Sequence, residues 1–156
     1  MSVLYGERTV RLYMEPLKIQ LQKYDQGEFT NPGAEQFYSG LQEWAAENPD
    51  GGIEQDFSIQ VLGVTADSSM LFVAINRFGV PVKNVSFVYS LGLRSGEWIW
   101  NRVRIHLSED QVGVIMPDRA MPFLIDLSPE QEALFDRMTE RNQVGELEFF
   151  TYDRVE

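Results

Sequence analysis

The chain has 156 residues, the size of one domain and enough to bury a core without disulfide staples. Twenty-four acidic against thirteen basic residues give a formal charge of -11, which argues against nucleic acid or an anionic membrane as partner and favours a basic or neutral one. There is no Cys, so disulfides and thiolate metal sites are excluded, and a single His makes a zinc site a poor expectation.

Residues Met1 to Arg11 contain no basic stretch followed by an apolar one, so no signal peptide is expected. No apolar run approaches the roughly 20 residues of a membrane span. The expected location is cytoplasmic, or envelope-associated if a signal was removed. Thr9 to Tyr13 alternate weakly and read as a first strand. Leu17, Ile19 and Leu21 alternate with Lys18, Gln20 and Gln22, a half-buried strand pattern. Gly27 to Gly33 reads as a turn. The period then changes: Phe37, Leu41, Trp44 and Ala45 place one apolar stripe on a helix over Ala34 to Glu47, which Asn48-Pro49-Asp50-Gly51-Gly52 terminates.

From there strand signals dominate. Phe57, Ile59 and Val61 alternate with polar neighbours, Ala66 to Ser69 is a turn, and Met70 to Ile75 is apolar enough for a central strand. Val85, Phe87 and Tyr89 share one strand face, and Arg94-Ser95-Gly96-Glu97 makes a hairpin. Trp98 to Leu107 follows, with Val103, Ile105 and Leu107 opposite Arg102, Arg104 and His106. Val112 to Met116 and Phe123 to Leu127 read as short strands. Ser128-Pro129-Glu130-Gln131 is a capping signal for a second helix whose Leu134, Phe135 and Met138 face the core. A last strand alternates Leu147, Phe149 and Thr151 with Glu146, Glu148 and Phe150. Seven or eight short strands, two helices and no linker or repeat predict one mainly β domain over residues 1–156, a sandwich or barrel.

The central block resembles a known family. Val73-Ala74-Ile75-Asn76-Arg77 runs into Val80-Pro81-Val82, then come a strand over Val85 to Leu91, a hairpin at Gly96-Glu97, Val103 to Leu107, and Arg119-Ala120-Met121-Pro122-Phe123-Leu124-Ile125. Over roughly Phe57 to Asp126 this is similar to the SLAP domain of bacterial proteins linked to accessory secretion and surface-layer assembly. The order Asn76-Arg77 is reversed relative to that family, and Phe123 stands where Trp is usual. The resemblance implies an immunoglobulin-like antiparallel β-sandwich and a binding or assembly role. It supplies no catalytic residues and no cofactor.

The residues that carry chemistry point the same way. His106 sits on the polar side of its strand with no evident nucleophile or orienting partner, so it is expected to be inert. Glu146 and Glu148 share a strand face and are candidates for Ca²⁺ binding or acid/base work, but edge protection is the simpler reading. Asp25-Gln26-Gly27-Glu28 and Asn48 to Gly52 lack the ligand spacing of an EF-hand. There is no phosphate loop and no nucleophile elbow. The sharpest candidate is Trp98, Trp100, Arg102 and Arg104, which share one strand face as a partner-binding stripe, aromatic plus Arg being the composition of interface hot spots; the plainer reading has the two Trp cover one end of the sandwich core. The reading is therefore a non-catalytic protein-binding or assembly module without cofactor. A small carboxylate hydrolase or Ca-binding domain is the alternative, and an acidic mimic of nucleic acid a distant third.

Overall fold

The computed structural model describes residues 2–5, 8–11, 15–22 and 32–155, with side chains over 15–22 and 36–155. It shows a mixed α/β fold dominated by antiparallel strands in two sheets. A ribbon of β1 (Ser2–Tyr5) and β2 (Arg8–Arg11) precedes them. The expected strand Thr9 to Tyr13 overlaps β2, and its last two residues lie outside the described ones. So do residues 27–31 of the expected turn and the stretch Asp25 to Glu28.

Next come β3 (Lys18–Ile19), α1 (Pro32–Glu47), β4 (Phe57–Val64), β5 (Ser69–Asn76), β6 (Val82–Leu93) and β7 (Trp98–Leu107). Then follow α2 (Glu109–Val112), β8 (Arg119–Asp126), α3 (Pro129–Asp136) and β9 (Gln143–Arg154). One sheet has the order β3-β8-β5-β4, with only β3 parallel to its neighbour; the other is the antiparallel trio β7-β6-β9.

A shared apolar core joins the facing sides of the two sheets. Phe72 of β5 sits at its centre, with ring centroids 5.0 Å from Phe123, 5.7 Å from Tyr89 and 5.6 Å from Trp100. β5 is paired on both sides and buried on both faces, as its near-continuous apolar run requires. Its opposite face, with Val73 and Ile75, packs against Leu17 and the apolar stripe of α1, so the helix lies on the outside of the four-stranded sheet. Leu41 and Ala45 of that stripe are buried, Phe37 and Trp44 half-buried, and Tyr38 joins them. α1 begins at Pro32, two residues before the expected start, because Pro suits the first helical turn.

Three expectations are corrected. The strand pattern over Leu17 to Gln22 reduces to the two-residue β3, although the Gln20 N–H still donates to the Ala120 carbonyl at 2.9 Å. Val112 to Met116 is no strand: Ser108 caps the single turn α2 by accepting from the Gln111 N–H, and only the bridge Val82–Ile115 remains of the pairing. In β9 the alternation reverses at Phe149, as described below. The capping box of α3 forms as expected, with Ser128 and Gln131 exchanging bonds at 3.2 and 2.8 Å.

One end of the four-stranded sheet is tied by Arg77, whose side chain is 1% exposed. Its guanidinium donates to the carbonyls of Glu15 (2.7 Å), Pro49 (2.9 Å) and Gly51 (3.0 Å) and to the Asp118 carboxylate (3.1 Å). Neighbouring Asn76 is fully buried and bonds the Val80 and Ile115 carbonyls and the Phe78 N–H. The loop after α1 is thus held by its carbonyls in a structural knot.

Candidate functional site

α3 contacts β7, with its Leu134, Phe135 and Met138 packed on the shared core, whereas α1 covers the outer face of the other sheet. Four register shifts interrupt the ladders of β7-β6-β9, and two of them, one on β7 and one on β9, aim the side chains of its outer face. On β7, Asn101 and Arg102 together oppose Ser90, and Arg102 takes a left-handed backbone with φ 55°. Its N–H donates to the buried Ser90 Oγ at 2.9 Å. On β9, Phe149 and Phe150 together oppose Phe87, and Phe149 has φ 54°. Each bulge inserts one residue and so switches the parity of the strand beyond it.

The expected stripe is divided twice, between Trp98 and Trp100 by the register shift at Leu91-Gly92 and between Trp100 and Arg102 by the first bulge. Trp100 points into the core, 8% exposed and against Phe72. Trp98 is half-buried over Gly92, where an added Cβ would lie 2.7 Å from the Trp98 ring and 2.5 Å from the Glu97 carbonyl oxygen. Arg102 and Arg104 are exposed on the opposite face from Trp100. Four side chains on one face would need strict alternation, which these two shifts remove. Val103 is still 39% exposed, whereas Ile105 and Leu107 are buried as expected.

The second bulge brings a new residue to the site. Leu147, Phe150 and Tyr152 pack on the core, while Phe149 is turned out and 63% exposed. Arg102 reaches across β6, lying 5.9 Å from the Phe149 ring centroid and 3.2 Å from the Glu148 carboxylate. Arg104 donates to the Ser86 hydroxyl at 3.0 Å. The face therefore combines an exposed ring, two guanidiniums, one of them bonded to a neutral hydroxyl, and the outward carboxylates Glu146 and Glu148. Such a surface can stack on a planar or apolar group and bind a carboxylate bidentately. Sequence reasoning missed Phe149; the signal was the doublet Phe149-Phe150, which breaks a period-2 pattern.

His106 is exposed on the same face, in register with Ser86. Glu146 and Glu148 do share a face, and Glu148 is neutralised by Arg102. Among the described residues no group of three or more His, Cys, Asp or Glu is placed to hold a metal ion, and no helix is long and apolar enough to cross a membrane. A cavity of about 690 Å³ lies elsewhere, beside β3 and α2, lined by Ile19, Leu21, Val114, Met116, Glu109 and Arg119. Comparison with protein-family models, curated proteins and solved structures gives no match to this chain.

Proposed function

We propose that this chain is a protein-binding or assembly module whose contact surface is the outer face of β7-β6-β9 around Arg102, Arg104 and Phe149. The observation that carries the reading is Phe149. A bulky residue in the left-handed region costs about 1 kcal/mol, and here the strained backbone serves to expose a ring that the neighbouring Phe150 buries. Aromatic and Arg side chains together are what interface hot spots use.

The strand neighbours support an immunoglobulin-like sandwich as the scaffold. β4-β5-β8 follows the order A-B-E of such domains and β7-β6-β9 the order C′-C-F, with the chain crossing between sheets after β5, β7 and β8. The likeness to SLAP domains adds surface-layer assembly or secretion as the context in which a partner is sought.

Capture from a lysate of the source organism tests the reading, with wild type beside Phe149→Asn and Arg104→Glu, each shown folded by circular dichroism. Asn accepts the left-handed backbone, so the first variant removes the ring without new strain. A protein retained by wild type and lost by both variants is the expected result. Equal retention by all three, or none by wild type, overturns it.

A further inference from the structure

The two sheets leave two open seams, and these differ. Along the seam between β7 and β8 the inward residues Ile105, Leu107 and Phe123 are buried. Along the seam between β4 and β9, Phe78, Leu147, Phe150 and Tyr152 stay half-buried although they pack on the same core. Phe150 lies 4.7 Å from Phe57 and 6.0 Å from Phe78, and Tyr152 lies 4.9 Å from Phe78, so an aromatic row lines this seam. β9 is also an edge: among the described residues no strand pairs with its far side over its 12 residues.

Natural edges are guarded by bulges and charge, and β9 has both. Glu146, Glu148 and Asp153 are on its polar side, in a chain of charge -11. Glu148 accepts from Arg102 at Oε1 and Asp153 accepts from Asn84 at Oδ2, and a carboxylate has lone pairs for further donors. Two such acidic edges repel each other, which disfavours a second copy of this chain and selects a basic strand.

We infer that the free edge of β9 receives an extended segment of the partner protein in which Lys or Arg alternates with apolar residues. Its main chain continues the β7-β6-β9 sheet. Its apolar side chains cover Leu147, Phe150 and Tyr152, and its cations meet Glu146, Glu148 and Asp153. The inference rests on the binding-module reading and names that partner's chemistry and its mode of docking.

A phage-displayed library of random ten-residue peptides, selected against the full chain, tests it. Enriched peptides are expected to alternate basic and apolar residues. They should slow hydrogen exchange within residues 143–154, lose binding when a central residue becomes Pro, and weaken about tenfold or more against Glu146→Lys. Peptides without the alternation, or that protect only β7, overturn strand addition while leaving the binding-module reading intact. Protection of β9 in a concentration-dependent dimer overturns it in favour of self-association. No enrichment over an irrelevant bait also overturns it; the broader reading stands or falls separately, on the capture experiment with the Phe149 and Arg104 variants.

Discussion

Replacing Arg77 by Leu removes the cation at the centre of the loop knot. Four hydrogen bonds of 2.7 to 3.1 Å disappear, and with them the guanidinium beside Asp118, whose side chain is 8% exposed. Breaking a buried pair from one side costs about 3–5 kcal/mol. The three carbonyls add to this only so far as water cannot reach them, at about 1 kcal/mol each. These terms overlap, so a total near 4–6 kcal/mol is expected, a large part of the roughly 5–15 kcal/mol that holds a domain folded. For a chain of this length that corresponds to a fall in Tm of about 8–24 °C. Urea unfolding followed by tryptophan fluorescence measures it, and Arg77→Lys should be intermediate because an ammonium cannot reproduce the fork. A cost below about 1 kcal/mol for Arg77→Leu would refute the assignment of the knot to this side chain.

Trp100→Ala should cost about 3–5 kcal/mol in the same assay and Trp98→Ala clearly less, since only the first is a core ring; equal costs would contradict the register shift that separates Trp98 from Trp100. Ser90→Ala leaves the Arg102 N–H without its acceptor and is expected to cost about 1–2 kcal/mol, with faster exchange at that amide. Burial holds the Tyr89 phenol neutral and pushes its pKa from the ordinary 10.0 up to about 12. Because the unfolded chain ionises first, this stabilisation is complete below about pH 10 and lost as pH rises from there towards about 12, up to roughly 2–3 kcal/mol. Absorbance titration should show a late tyrosine that Tyr89→Phe removes, and the same variant should flatten the alkaline limb of stability against pH.

The parts of the fold legible in the sequence are those where local pattern and burial agree. The run Met70 to Ile75 is apolar because β5 is buried on both faces, and the 3.6-residue stripe of α1 marks the face that lies on the sheet. The Ser128 cap was legible because a capping box satisfies its donors locally. What alternation cannot show is where a bulge inserts a residue. Asn101-Arg102 and Phe149-Phe150 each switch parity, and these two events bury Trp100 and expose Phe149. Arg77 was legible only as part of a motif, since its partners Glu15, Pro49 and Asp118 are distant in sequence.

The central claim is that the outer face of β7-β6-β9 meets a partner protein. The most direct measurement places the photo-crosslinking residue benzoylphenylalanine at position 149 and, as control, at exposed Gln60 on β4. Illumination of cells of the source organism producing each variant should give a discrete protein adduct from position 149 and none from position 60. Adducts from position 60 alone, or from neither site, would contradict the account.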